Sequence, residues 1–332
     1  PGNGFTAAKK PATLAELAFY KGADRQQILE EGARQEGKLS FYTSGTESQR
    51  IVDAFMKKYP FVRVERWRSA IAEQISRTVE EFKSGKHVFD VMESTQTSMT
   101  LLQEMGIAHP FYAPNFLQLE EEALTKAPGG GAYAAAFRLL GIGFGYNTKM
   151  LKKEQLPKTY HDLLDPKWKG KLAITGTDTG VSWAACIYRN FGEELLGKIA
   201  KQDFPVHMIS ALALLDQVIN GEYAGSPTIT DQQIFLGKQK GAPVGWAPLE
   251  PVRVNVGQIA LAKHAPHPHA ALLFADFELS RESAEIHRGI GYGSFRTDMS
   301  GAEQQYKKSL GEVSMAAIKQ EHEIFNRLFL KK

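Results

Sequence analysis

From Lys38 onward, the apolar positions of the chain switch back and forth between two periods. Short dense blocks of apolar and β-branched residues at 39–43, 61–65 and 88–93 read as strands. Between them, apolar residues recur every third or fourth position, which is helix spacing. Ile51, Phe55 and Tyr59 mark one helix over 47–59, and Ile71, Ile75, Val79 and Phe82 share a face over 71–83. Before this alternation, 1–11 reads as a loose tail, and 14–20 and 25–35 as two short helices, the second capped by Asp24. After it, strand patterns are expected within 134–147 and at 171–175, 244–249 and 255–262. Helix patterns are expected from near Val181 to about Lys201, at 211–220, at 232–240 with Asp231 as cap, at 267–279 and 281–289, and over one or two stretches of 304–331. Strands alternating with helices predict an α/β fold, a sheet covered by helices on both sides.

The joints in this pattern carry the candidate chemistry. Three of them run strand, hydroxyl-rich turn, helix: Thr43 to Arg50, Ser94 to Ser98, and Gly176 to Gly180. A helix start leaves backbone N–H groups unpaired and carries partial positive charge, so a small anionic or polar ligand sits well there. Simple N-capping is the competing reading at each turn. A fourth joint, Ser226-Pro227-Thr228-Ile229-Thr230-Asp231, has the same character. The ligand-binding candidates are therefore Ser44, Gly45, Thr46, Ser94, Thr95, Thr177, Thr179, Gly180, Ser182, Thr228, Thr230 and Asp231. Arg138 joins them, because a guanidinium is a natural bidentate partner for carboxylate or phosphate; Arg50, Arg253 and Arg296 are weaker candidates.

Composition narrows the classes. At 332 residues the prior is two domains of roughly 150 residues each. A net charge of +3 does not point to nucleic acid and does not repel an anion. The single cysteine, Cys186, lies in an apolar helical run and reads as a buried structural thiol, so neither an internal disulfide nor a Cys-based zinc cluster is expected. No run of 18 apolar residues suggests a spanning helix. The chain opens Pro1-Gly2-Asn3-Gly4 without a signal-peptide pattern, as a processed form would. Gly141, Gly143 and Gly145 alternate with apolar residues at strand period, which suits a strand crossing between lobes and lacks the spacing of a dinucleotide fingerprint.

Several segments together resemble a known family. They are the strand and turn 39–44, Gly145-Tyr146-Asn147, Asp162-Leu163-Leu164-Asp165-Pro166-Lys167-Trp168-Lys169-Gly170-Lys171, Gly257-Gln258-Ile259-Ala260-Leu261, Lys263, Ala265-Pro266-His267-Pro268, and 270–279. In this order they resemble the extracellular solute-binding proteins of ABC importers, type II periplasmic binding proteins, and within them the ferric-iron-binding and related anion-binding branch. The resemblance spans nearly the whole chain from about Ala23. It implies a two-lobe clamp, each lobe a mixed sheet flanked by helices. Lobe 1 would hold 38–143 plus 263–332 and lobe 2 144–262, with hinges near 141–147 and 257–263 and residues 1–37 as an N-terminal tail with helices. It further implies a periplasmic, monomeric binding protein that delivers a small ligand to a membrane permease, with no catalysis, no cofactor and no nucleic acid.

The chain departs from the ferric branch at one point. That branch carries two adjacent tyrosines in the turn where this chain reads Ser226 to Gln233, and no Tyr-Tyr pair occurs anywhere. Phenolate suits Fe3+, whereas hydroxyl turns suit an oxyanion such as carboxylate, phosphonate or phosphate. Tyr223 and Asp231 remain weak metal candidates. Trp246 and Tyr292 read as core or hinge residues with ligand contact as the alternative, and His264, His267 and His269 as a solvated loop. An enzyme on the same clamp, with Cys186 as nucleophile, is the alternative of another class; no nucleophile elbow, zinc-protease motif or phosphate-binding loop supports it.

Overall fold

The computed structural model of the chain describes residues 11, 13–299, 306–311 and 314–330. They fall into two compact units. Unit 1 comprises the described residues up to Phe137 together with Gly257–Ile286 and Phe295–Met299; unit 2 comprises Arg138–Val256, His287–Ser294 and the described residues from Tyr306 on.

Unit 1 opens with helices α1 (Leu14–Ala18) and α2 (Arg25–Glu36). It then alternates β1 (Lys38–Thr43), α3 (Ser48–Lys58), β2 (Arg63–Arg68), α4 (Ile71–Lys83), β3 (Val91–Thr95) and α5 (Gln96–Glu104), followed by short strands β4 (Ala108–His109) and β5 (Leu124–Ala127). β1 is parallel to β2, from Lys38↔Arg63 to Thr43↔Arg68, and to β3, from Phe41↔Val91 to Thr43↔Glu93. Parallel neighbours need a crossover, and α3 and α4 supply it.

Local differences from the sequence reading have physical causes. β2 starts two residues later than expected, because Phe61 and Val62 close the turn after α3, where the Val62 amide donates to the Tyr59 carbonyl at 3.0 Å. β3 starts at Val91, and Val88 is exposed. Asp24 does not cap α2. Its φ of −88° and ψ of 5° are not the extended conformation a cap needs, and its carboxylate accepts from the Tyr20 hydroxyl at 2.6 Å instead. On α4 the fully buried residues are Gln74 and Thr78, while Ile71 is exposed. The Gln74 amide nitrogen donates to the Glu93 carbonyl at 3.0 Å, so its burial is hydrogen-bonded at that end.

The long strand β6 (Gly131–Asn147) holds residues of both units. Beyond it come β7 (Ile174–Thr175), α6 (Asp178–Ala200), β8 (Val206–His207), α7 (Ala211–Asn220), β9 (Gly225–Thr230), α8 (Asp231–Gln239) and β10 (Val244–Ala247). In unit 2, β6 is antiparallel to β10, from Phe144↔Ala247 to Asn147↔Val244, and to β9, from Ile142↔Thr230 to Tyr146↔Gly225. α6 begins earlier than expected and breaks at Gly192, whose φ of 81° suits glycine. Its start presses on β7: a Cβ on Gly180 would lie 1.8 Å from the Thr175 carbonyl oxygen. The core of unit 2 gathers Ile142, Phe144, Tyr160, Trp168, Trp183 and Phe325 among its buried residues. Side chains of this size stabilise by roughly 1.5–3 kcal/mol each when buried. The Asp162 to Lys171 segment is anchored there by Trp168, whose Nε1 donates to the Asp162 carbonyl at 2.8 Å.

A second long strand, β11 (Val252–Ala262), again holds residues of both units. Its end returns to unit 1 antiparallel to β3, from Gly257↔Thr95 to Leu261↔Val91, and leads into α9 (Pro268–Glu278) and α10 (Arg281–Arg288). Its start belongs to unit 2, where Val252 and Arg253 pair with β12 (Lys308–Ser309); α11 (Met315–Phe325) packs along α6. Part of the helical stretch expected at 304–331 lies outside the described residues, and the described part includes this short strand.

Candidate functional site

The hydroxyl turns differ in whether the chain satisfies them itself. In unit 1, the β1–α3 turn is organised by an acidic residue. Glu93, only 2% exposed at the end of β3, accepts the Gly45 amide at 2.8 Å and the Thr43 hydroxyl. Its own carbonyl accepts the Ser44 amide at 3.2 Å. The carboxylate thus occupies the amide at which a ligand anion would sit. Ser44 stays half-buried and Thr46 exposed, and no side chain caps α3. The β3–α5 turn is closed on itself: Thr95 caps α5 by accepting the Ser98 amide at 3.4 Å, and the Ser94 and Thr95 hydroxyls each lie 3.1 Å from the Ser98 hydroxyl.

In unit 2, the β7–α6 turn is open. Thr177 stands at the N-cap in extended backbone, yet no side chain caps this 23-residue helix. The Thr177 hydroxyl bonds that of Thr175 at 2.8 Å. Thr179 and Ser182 are half-buried on the first turns, and Gly180 is buried against β7. Helix amides left uncapped beside hydroxyls are the groups an oxyanion needs. Asp178, on the same turn, opposes this charge; its side chain is 97% exposed and lies 3.8 Å from His322. Thr228 is fully buried and internally satisfied, accepting the Thr175 amide at 3.1 Å and bonding Ser226 at 2.9 Å.

The cap of α8 is Thr230, not Asp231. Thr230 and Gln233 form a reciprocal capping box at 3.3 and 3.1 Å, while Asp231 lies inside the first turn. Asp231 Oδ1 accepts the amides of Gly141 at 2.9 Å and Gln232 at 2.8 Å, and its Oδ2 accepts the Tyr306 hydroxyl at 3.3 Å. Burial outweighs these bonds and pushes its carboxyl up to about 6. Burial and then the Asp231 charge push the Tyr306 phenol up as well.

The remaining candidates are distributed. Arg138 stacks over the Tyr292 ring at 4.8 Å. Trp246 donates to the Ile229 carbonyl at 3.1 Å and leans on Tyr306. Arg50 is exposed beside Glu47, and Arg296 is buried against Asp298 and the Leu279 carbonyl. The Tyr223 hydroxyl is 2.8 Å from His207 Nε2, a partner that sequence spacing did not suggest. The three histidines of the loop go separate ways: His267 to Asp90, His269 to Glu36, and His264 against His87. The two carboxylate partners are remote in sequence, so the expectation of a merely solvated loop is corrected for His267 and His269. Among the described residues no three His, Cys, Asp or Glu side chains gather as a metal-ligand set. Cys186 is fully buried, 3.3 Å from the Pro251 carbonyl and 3.9 Å from the Tyr160 hydroxyl, and among the described residues no histidine or carboxylate bonds it. A cavity of about 760 Å3 in unit 1, lined by Tyr59, Phe61, Asp276 and Phe277 among others, includes none of the hydroxyl-turn residues. No helix of the described residues is long and apolar enough to cross a membrane.

Residues 88–309 match the family of bacterial extracellular solute-binding proteins. An uncharacterized protein of Haemophilus influenzae is 26% identical over 267 residues, 76% of each chain. Iron-bound HitA from Pseudomonas aeruginosa superposes with a TM-score of 0.72 at 19% identity, covering 88% of this chain and 99% of that one. AfuA from Actinobacillus pleuropneumoniae, solved with exogenous fructose-6-phosphate, does so with a TM-score of 0.62 at 21% identity, covering 89% and 97%. These likenesses show the fold, the type II periplasmic-binding-protein architecture of mixed sheets flanked by helices.

Proposed function

Because the chain belongs to the bacterial extracellular solute-binding proteins, we propose that it captures a small oxyanion-bearing solute in the periplasm and hands it to the permease of an ABC importer, without catalysis. The observation that carries the ligand class is the uncapped start of α6, where Thr177, Thr179 and Ser182 offer hydroxyls beside free helix amides. The hydroxyl turns of α5 and α8 are closed by their own Thr95 and Thr230. The start of α3 also lacks a side-chain cap, but its Gly45 amide serves Glu93; at the start of α6 the amides keep donors for an acceptor from outside. In unit 1, Ser44 and Thr46 flank a turn whose Gly45 amide already serves Glu93, so that turn would meet a hydroxyl or a metal-like positive group more readily than a second anion.

Relatives of this fold include an iron-bound protein and one holding fructose-6-phosphate. The second chemistry, a phosphate monoester, suits the α6 start. The first needs hard anionic ligands, and Tyr223, the weak candidate for one, is engaged with His207.

A thermal-shift screen tests the reading, with sugar phosphates, inorganic phosphate, phosphonates, small organic acids, and Fe3+ with and without carbonate. A ligand that binds only the folded chain raises Tm by mass action. The expected result is a shift with phosphorus or carboxylate oxyanions, weakened about tenfold in half-saturating concentration by Thr179→Val, the loss of roughly one charge-assisted hydrogen bond. A shift with Fe3+ alone would replace the oxyanion by a metal as cargo.

A further inference from the structure

Among the described residues of unit 2, two guanidinium groups whose nitrogens are largely buried have one carboxylate in contact. Arg189 on α6 lies 2.8 Å from Glu321 on α11, an ion pair not aligned as a hydrogen bond. Arg253 on β11 lies close enough to Arg189 for the two charges to repel. Arg189 Nη1 and Nη2 and Arg253 Nε and Nη1 are all shut off from solvent, and none donates a hydrogen bond. The Gly311 backbone packs directly against the Arg253 guanidinium, so closely that a Cβ there would come 2.0 Å from Nη2. Burial and then the Arg189 charge pull the Arg253 guanidinium down to about 10, so it remains a cation at neutral pH.

Buried charged donors without acceptors are costly, and each such group in a folded protein calls for a water or an ion to satisfy it. Water relieves the hydrogen bonds but not the excess charge. Guanidinium N–H donors pair well with the oxygens of a tetrahedral oxyanion, and its charge offsets the excess of the two cations. We propose that Arg189 and Arg253 form a binding site for a small inorganic oxyanion of the phosphate or sulfate type, a structural anion that ties α6, β11 and α11 together. The site is separate from the start of α6: Arg189 lies about 10 Å further along the helix than Ser182.

The test is a thermal-shift titration of the whole chain with sodium phosphate and with sodium sulfate, ionic strength being held constant with sodium gluconate. Wild type shows a saturable rise in Tm with at least one of them. Arg253→Met and Arg189→Met keep the aliphatic stem and remove the fork, and they raise the half-saturating concentration roughly tenfold or more. Thr179→Val, which weakens whatever phosphate binds at the start of α6, leaves in place the component of the shift that the Met variants remove. Glu321→Gln, which removes the competing carboxylate, lowers the half-saturating concentration, and it decides the matter if the Met variants do not fold. The assignment is overturned by no saturable shift in wild type, by a shift that survives both Met variants, by one that Thr179→Val abolishes, or by a half-saturating concentration unchanged in Glu321→Gln.

Discussion

Two buried carboxyls make single residues measurable. Asp231 titrates near 6 in the fold against about 3.9 in an unfolded chain. Its folded value is raised, so its ionisation opposes folding: no cost below the unfolded value, a growing cost through 4 to 6, and the full cost above. Asp231→Asn keeps an oxygen for the Gly141 and Gln232 amides and cannot ionise. The variant is expected to gain on wild type as pH rises from 4 to 7, by up to about 3 kcal/mol in urea unfolding. A gap that stays level across that range would sink this account. Asp276 likewise is pushed up to about 6 by burial, against the opposing pull of its partner Arg25. Arg25→Ala removes that partner. It should destabilise by about 3–5 kcal/mol at pH 8 and by clearly less at pH 5, where Asp276 can protonate instead of standing buried and alone. Equal losses at both pH values would mean that packing, not charge, is what Arg25 contributes.

Elements are held at their joints. The α6 start crosses the Thr175 carbonyl so closely that only glycine fits at 180. Gly180→Ala must push α6 off β7, and a loss of about 1–3 kcal/mol is expected from overpacking, with the amide exchange of 174–182 accelerated. An alanine variant as stable as wild type would show that the joint yields freely. At α8, the capping box assigns the helix start to Thr230. Thr230→Ala should cost about 1 kcal/mol in urea unfolding at pH 7, whereas Asp231→Asn should cost nothing there. Asp24 and Asp231 show why a sequence places caps imperfectly. Both precede a helical pattern and both are good cap residues, but capping requires extended backbone at that residue, which Asp24 lacks and Thr230 has. The 71–83 and 211–220 helices, by contrast, have the limits their apolar spacing indicates.

At the scale of the whole chain, each unit has its own core, and β6 and β11 run through both. Local openings should therefore stay local: Gly180→Ala is expected to speed amide exchange in α6 and β7 while β1 to β3 remain protected, and Arg25→Ala to do the reverse, read by hydrogen exchange with mass spectrometry. Exchange that rises everywhere in both variants would mean that the chain opens as one body. The fold class, most elements and the family were legible in the sequence, because apolar period is a local property and reports which face of an element is buried. The hydroxyl turns were legible for the same reason, being contiguous. Which of them remain open was not. Glu93 closes the Gly45 amide from 48 residues away, Asp90 and Glu36 take His267 and His269 from 177 and 233 residues away, and Arg189 on α6 meets Glu321 on α11. Burial pattern places an element against a core; the partner of each buried polar group is chosen by whichever distant element packs beside it, and only the tertiary structure holds that choice.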